Sequence, residues 1–422
     1  MANVLVPESH TRAGLGVIRS LGAAGHNVHA CSSRSDALGF VSAYASSRVV
    51  HPPYGDETYI DWLRGYLRDH AIGVIIPSSN FLLAVEAHFD EFLAYLPLSA
   101  DRQRVFDCLD KAFIASFFST CDGAGQFRQT QPPHVILTDA MDTGGALPPQ
   151  GEHGYYLKGC HLRSANGERS DKGALLHIEQ SGAVAGAAAE ILQDYECVLV
   201  QQGCTGRQVC VGVLRWQGEA RLLSTVEDCH EEPHSNGTMS RRRTARHEAI
   251  EADALLRLEA LNWEGVAMLE YRLDAATGRF FLIEINFRYW QYLNLDLRAG
   301  ADFPALQVAC YLGQVPSLDG GAVMRSTPGL IGRDTWPGEV ACLVNQLRRP
   351  GVRWYNKVVL LLEMLSYSLR PGVHNDLLTR SDPRPYFANL FRFIRAEIGN
   401  LGRKSGRLLG RVDRNPDTGS TG

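Results

Sequence analysis

One stretch constrains the chain more than any other. Residues 265–274, Gly-Val-Ala-Met-Leu-Glu-Tyr-Arg-Leu-Asp, and 279–288, Arg-Phe-Phe-Leu-Ile-Glu-Ile-Asn-Phe-Arg, are two apolar runs separated by Ala-Ala-Thr-Gly278. Strand-forming runs on either side of a Gly-containing turn predict a β-hairpin. Each run carries one acid in apolar company: Glu270 between Leu269 and Tyr271, and Glu284 between Ile283 and Ile285. Asn286 follows Glu284 by two positions, so both project from the same face of the strand. If residues 275–279 form the connection, closed by Asp274 and Phe280, Glu270 lies directly opposite Glu284. A loop one residue longer or shorter would break that pairing. Two carboxylates and an amide oxygen on one sheet face make a hard-oxygen set suited to Mg²⁺. Arg288, two residues further on, is placed to hold a phosphate or a carboxylate bidentately. The competing reading is a solvated edge hairpin, where alternating polar residues are ordinary.

The rest of the chain sets bounds. Its 422 residues predict two to three domains. Hydrophobic residues at 45% and charged residues at 21% describe an ordinary globular chain. The 42 Lys and Arg against 46 Asp and Glu leave a net charge of −4, so no global basic field favours nucleic acid. Ten cysteines occur without a CxxC pair, which argues against zinc-ribbon and thioredoxin-type sites. The first residues lack a basic segment and a long apolar run, so the expected setting is a reducing cytoplasm with free, mostly buried thiols. The apolar run Val358 to Leu362 is stopped by Glu363, short of the ~18–20 residues that span a bilayer.

Alternation organises the N-terminal part. Apolar runs at Asn3–Pro7, Val28–Cys31 and Ile72–Ile76 read as strands. Thr11–Leu21 (with Leu15, Ile18 and Leu21 on one face) and Asp56–Asp69 (with Tyr59, Trp62, Leu63 and Tyr66) read as helices. Strands alternating with helices predict a parallel sheet covered on both faces, over residues 1–105. A helix is expected at Phe106–Phe118, then a loop-rich stretch through Gly144–Pro149. Residues 155–300 turn strand-rich, with helices near Gly182–Asp194 and His247–Leu261, which suggests an α+β region. Beyond Gly313, helical spacing recurs at Glu339–Leu347, Tyr355–Leu369 and Pro385–Ile398.

Glu284-Ile-Asn-Phe-Arg288 resembles the Glu-Ile-Asn-Pro-Arg motif of the ATP-grasp superfamily, with Phe287 in place of Pro. Tyr289-Trp290 and Ala299-Gly-Ala-Asp-Phe-Pro304 are similar to the continuation of that motif in a carboxylate–amine ligase group. The resemblance covers about residues 1–312 in segment order, and its specific motifs lie in 265–304. It implies a Rossmann-like pre-ATP-grasp α/β domain (1–105), an α+β ATP-grasp domain (106–312) and a helical C-terminal extension with a basic tail (313–422). The two ATP-grasp lobes would divide near residue 200. Other segments then fall into order. Asp110-Lys111 resembles the helix-opening pair whose Lys contacts nucleotide phosphate. Tyr155-Tyr-Leu-Lys158 resembles the strand ending in a second ATP-binding Lys, with Gly159 where Pro is usual. Arg163–Gly173 is similar to the lid over the phosphates. Val198–Gly206, including Gln201 and Gln202, resembles the hinge that holds adenine, with Gln202 where Glu is common.

The resemblance thus implies ATP and Mg²⁺, or Mn²⁺, as cofactors. Glu270, Glu284 and Asn286 would ligate metal. Lys111, Lys158, Gln201 and Gln202 would bind nucleotide, and Lys158 and Arg288 would be catalytic. The implied reaction joins a small-molecule carboxylate, peptide-like acids included, to an amine through an acyl phosphate. A bicarbonate-using carboxylase or carbamoyl-type enzyme and a non-catalytic ATP-binding regulator are the alternatives.

Weaker features complete the reading. Ala13-Gly-Leu-Gly16 has Arg19 where a dinucleotide fingerprint needs a third Gly, and reads as a tight strand-to-helix turn. Ser78 and Asn80 follow a parallel strand, where ligands tend to bind. Arg241-Arg-Arg243 has two readings, a receiver for a carboxylate or phosphate and, preferred, a solvated charged loop. His10, His161, His230 and His234 match no zinc spacing, and the last two read as a surface loop. Phe387, Leu390, Phe391, Ile394 and Ile398 form an apolar stripe with basic flanks. The preferred reading packs it on the catalytic body, and the other lays it on a membrane surface or a partner.

Overall fold

A computed structural model describes residues 1–123, 130–140, 147–162, 174–229, 239–315, 323–340, 343, 347, 353–367 and 370–396. The architecture is mixed α/β, with one parallel and two largely antiparallel sheets.

The apolar N-terminal runs form β1 (Asn3–Val6), β2 (Asn27–Ser32), β3 (Ser47–Val50) and β4 (Val74–Ile75), all parallel in the order β3-β2-β1-β4. The helix Arg12–Ala23 starts where the Thr11 hydroxyl accepts from Gly14 N, and it buries Leu15, Ile18 and Leu21 against the sheet. The second helix, Tyr59–Asp69, buries Tyr59, Leu63 and Leu67 and leaves Trp62 and Tyr66 half-buried.

The expected single helix at 106–118 is two helices, Arg102–Leu109 and Lys111–Gly123. The Asp110 carboxylate accepts from Ala112 N (2.9 Å) and Phe113 N (3.1 Å), so it caps the second helix and breaks the first. Lys111 is thereby placed in a first turn.

A four-stranded antiparallel sheet follows: β5 (His134–Leu137), β6 (Tyr155–Leu162), β7 (Leu175–Ile178) and β8 (Tyr195–Gln202), in the order β5-β8-β6-β7. The helix Val184–Ile191 packs on it through Val184, Ala188 and Ile191. Gly159, where the resemblance expects Pro, donates its N–H to Ala174 O, and a Cβ there would overlap the Tyr195 ring. Proline could supply neither feature.

The largest sheet takes β9 (Arg207–Trp216), β10 (Glu219–Asp228), β11 (Arg241–Ala245), β12 (Gly265–Leu273) and β13 (Phe280–Asn286). Its order is β13-β12-β9-β10-β11-β15-β16, with β14 beside β10. Here β14 is Met324–Arg325, β15 Ile331–Arg333 and β16 Val373–Asn375. One face packs on the helix Glu248–Ala260, through Val209, Val211, Val213, Leu269 and Tyr271 against Ile250, Ala254 and Leu258. The alternate residues of β9 therefore turn to the opposite face.

Two expectations change. Residues beyond 313 are not solely a helical extension, because β14, β15 and β16 complete the same sheet as the hairpin. Arg241-Arg-Arg243 is not a solvated loop but β11. Arg241 pairs with Glu339 (3.1 Å) and Arg242 with Asp376, all four buried. A triplet of charges looks solvated in sequence, and its partners here lie about a hundred residues away.

The C-terminal segment is clasped to the first helix. Buried Arg19 donates from Nε to Asp382 Oδ2 (2.9 Å) and from Nη2 to the carbonyls of Leu377 (2.7 Å) and Asp382 (2.8 Å). Helices occupy Trp354–Tyr367 and residues 384–396. Phe387, Phe391 and Ile394 are exposed and Leu390 is half-buried, so most of that stripe is not packed on the body as expected. Ile398 and the basic tail lie outside the described residues.

Candidate active site

The hairpin brings its acids together by an unexpected route. Glu270 pairs with Glu284 and Met268 with Asn286. The loop is one residue shorter than expected: Asp274 N donates to Arg279 O (2.9 Å), and Gly278, at φ +71°, donates to Asp274 O (2.8 Å). The register beyond Glu270 therefore shifts, with Tyr271 opposite Leu282. Ile283 is the extra residue, a β-bulge that restores the Glu270–Glu284 pairing.

Two lysines converge on this point. Lys158, buried on β6, donates from Nζ to the carbonyl of the bulged Ile283 (3.0 Å). Lys111 places Nζ 3.5 Å from Glu284 Oε1. Burial pulls the Lys158 pKa down, opposed chiefly by Glu284. Burial also acts to raise Glu284, but Lys111, Lys158 and Arg288 outweigh it and hold that carboxyl below its ordinary value. At Glu270 the balance is reversed, because Arg272 and Lys158 do not outweigh burial. Burial, and then the facing Glu284, push it up to about 7. A pair of facing carboxylates in this condition is relieved by a divalent cation, and Asn286 on the same face adds a neutral oxygen. The donor set fits Mg²⁺.

Two adjoining cavities, of about 380 and 730 Å³, share Lys111, Lys158, Gln201, Ile283, Glu284 and Asn286 in their walls. The smaller has apolar walls from Ile114, Leu199, Leu282 and Phe287, suited to a flat ring. Gln201, the last residue but one of β8, is buried. Gln202 lines the larger cavity and donates from Nε2 to Pro149 O (2.8 Å), so its amide nitrogen is engaged with the loop. Arg288 lines the larger cavity, half-buried, and donates to Tyr289 O (3.2 Å). The lid stretch Arg163–Gly173, His230 and His234 lie outside the described residues, as does the side chain of His161.

Other candidates stand apart from the cavities. Ser78 caps the helix Ser79–Ala84 by accepting from Phe81 N, and Asn80 donates to Glu8 Oε1 (2.7 Å). His10 meets the Ser32 hydroxyl (3.0 Å). Neither Ser78 nor Asn80 lines either cavity. Gly16 belongs to the first helix, where its lack of a side chain admits Leu293.

Sequence reasoning missed a polar row beside the acids. The register sets Arg272 opposite Gln208, Gln208 in line with Asp228, and Asp228 opposite Arg242, all on the face that carries Glu270. Gln208 Oε1, Arg242 Nε and the Tyr292 hydroxyl are buried without a hydrogen-bond partner, and all three residues line the larger cavity. Buried polar atoms are rarely left so unless a ligand or water completes them. The available signal was the alternation in Arg207-Gln-Val-Cys-Val-Gly212, which puts Gln208 out of phase with the valines.

A fully buried carboxylate supports the floor of this cavity. Asp296 accepts from Ser224 Oγ (2.5 Å) and from Trp290 Nε1 (2.6 Å), and the Trp290 ring lies on Gly212, where a Cβ would overlap it. Burial pushes Asp296 up to about 7. The folded state then holds a proton that the unfolded chain releases near its usual carboxylate pKa. Stability is therefore expected to fall as pH rises from about 4 to about 7. Urea titrations at pH 5 and pH 8 check this: Asp296→Asn should reduce the difference, and an unchanged difference would contradict it.

Solved structures share this arrangement of sheets. An L-amino acid ligase from Bacillus licheniformis superposes with a TM-score of 0.56 at 13% identity, over 74% of each chain. The β,γ-ATP complex of biotin carboxylase from Campylobacter jejuni gives 0.57 at 13% identity, over 76% of this chain and 73% of that one. N5-carboxyaminoimidazole synthetase from Staphylococcus aureus, complexed with ADP, gives 0.55 at 15% identity, over 75% of this chain and 78% of that one. This is the ATP-grasp fold. No protein-family model and no curated protein matches the sequence. Within this fold, the hairpin acids, both lysines and Arg288 all line the larger cavity.

Proposed function

We propose that this ATP-grasp chain is a carboxylate–amine ligase. It would phosphorylate a small carboxylic acid with ATP, pass the acyl group to an amine, and release ADP and phosphate. The observation that carries the proposal is the Glu270–Glu284 pair with Asn286 on its face and two lysine side chains converging on it.

Phosphoryl transfer needs charge neutralisation and in-line positioning more than covalent help. Glu270, Glu284 and Asn286 would hold Mg²⁺, or Mn²⁺, which when bound supplies charge compensation for the phosphates. Lys111 and Lys158 would bind phosphate oxygens, Lys158 exchanging the Ile283 carbonyl for a full negative charge. Gln201 and Gln202 would border the base and ribose, with the Leu199 and Leu282 wall against the ring. Arg288 would hold the transferring group and the acid that receives it. The orphaned Arg242, Gln208 and Tyr292 atoms would receive polar groups of the acid or amine that do not react. Residues 1–105 would form the Rossmann-like domain that closes one side of this space.

The test is ADP release in the presence of Mg²⁺ over pairs of amino acids and related acids and amines. ADP release that requires both an acid and an amine supports the proposal. Phosphate release that depends on bicarbonate would replace it with a carboxylating reaction. ATP binding without turnover across a broad panel would replace it with a regulatory one.

A further inference from the structure

Apolar side chains are unevenly exposed on this molecule. Among the described residues, eleven of the seventeen exposed large apolar side chains lie between positions 354 and 394. The helix Trp354–Tyr367 leaves Trp354 at 75%, Val359 at 58% and Leu362 at 59% exposure. The helix of residues 384–396 adds Phe387 at 48% and Phe391 at 66%. Clustered exposure of this kind marks an interaction surface, whereas single exposed apolar residues are ordinary.

Both helices are held by one short segment. Arg333 donates to Met364 O (3.2 Å), and Arg241 lies 3.7 Å from the centre of the Tyr367 ring. Asn389 donates to Trp336 O (2.8 Å), and the Trp336 and Phe393 rings lie 5.5 Å apart. Both helices are thus anchored at residues 333–336, the first also by Arg241 on β11.

Charge says what that surface meets. Residues 353–396 carry seven Lys and Arg against three Asp and Glu, in a chain whose net charge is −4. Two of those three acids, Asp376 and Asp382, are buried in ion pairs with Arg242 and Arg19, while Arg392 lies 3.8 Å from Asp36. Arg353 and Lys357 flank Trp354 and Tyr355, and Arg392 and Arg395 flank Phe391 and Ile394. Apolar side chains interleaved with arginine, and a Trp-Tyr pair at one helix end, are the chemistry of an interfacial element on anionic lipid. No helix among the described residues is long and apolar enough to cross a membrane. We infer that this C-terminal surface docks the protein on the face of an anionic lipid bilayer, with the two helices lying in the interfacial plane. The inference is independent of the proposed ligase reaction.

The test is flotation of the full chain with vesicles of phosphatidylcholine alone, or mixed with phosphatidylglycerol. A second protein carries Trp354→Ser, Leu362→Ser, Phe387→Ser and Phe391→Ser. These positions are exposed, so the fold should hold, and near-ultraviolet circular dichroism checks that it does. The native chain is expected to float with the mixed vesicles, less so as salt is raised, and the variant to lose about tenfold or more of that binding. Failure of the native chain to float with anionic vesicles overturns the inference, as does equal flotation of a folded variant. A native dimer that the substitutions make monomeric, measured by analytical ultracentrifugation without lipid, would assign the surface to a second copy instead.

Discussion

Glu284→Gln is expected to lower the rate of ADP release by about 10²–10³-fold with the fold intact. The substitution keeps the shape of the side chain and removes its charge. That charge does three things in the site. It stands 3.5 Å from the Lys111 ammonium, it favours the charged form of buried Lys158, and it opposes ionisation of Glu270. A neutral amide would leave Lys111 and Lys158 without the Glu284 charge and the proposed metal set with one carboxylate. The Glu270 carboxyl, relieved of its like-charged neighbour, would titrate below its present value of about 7. Two measurements therefore belong together, the rate of ADP release and the carbon-13 shift of Glu270 against pH. A normal rate in the variant would remove Glu284 from the metal role. A normal rate with an unmoved Glu270 titration would also remove the electrostatic picture of the hairpin.

Asp382→Ala is expected to destabilise the protein by about 3–5 kcal/mol. Asp382 is fully buried and accepts from Arg19 Nε (2.9 Å), Ser42 Oγ (2.7 Å) and Ala43 N (2.9 Å). Without it, the buried Arg19 guanidinium keeps only neutral partners: Asn294 Oδ1 and the carbonyls of residues 376, 377 and 382. Removing one member of a buried pair leaves an uncompensated charge, which costs far more than the pair itself contributes. The Arg34–Asp36 pair is the internal comparison, because both of its side chains are more than half exposed. Asp36→Ala should cost less than about 1 kcal/mol. Urea denaturation of both variants checks the contrast, and equal costs would show that Asp382 is not the tie between the first helix and the C-terminal segment.

The sequence was most informative where chemistry and period coincided. Alternation placed Glu284 and Asn286 on one face, and the facing acids followed from a hairpin whose loop was expected one residue too long. The Ile283 bulge absorbs that residue, so the pairing holds although the turn differs. Periodicity saw one helix at 106–118 because apolar spacing continues through Asp110, while the break depends on a side chain capping two backbone N–H groups. Arg241 and Arg242 could not be read as buried, since Glu339 and Asp376 reach them only after the sheet is assembled. Ser78 and Asn80 sat at the expected strand end, but a cap and a bond to Glu8 engage them. Gln208 and Tyr292 carried no motif, and only their unmet hydrogen-bonding capacity singles them out.

The bulge also links two distant parts of the hairpin. Residues 275–278 turn at the solvent end, several positions from Lys158, yet their number decides whether an extra peptide unit must be carried inside the strand. That unit is the one whose oxygen receives the Lys158 ammonium. Adding one amino acid to the turn would let the strands align without it, and the amine would lose its resting berth. The length of an exposed turn thus sets where a buried cation rests.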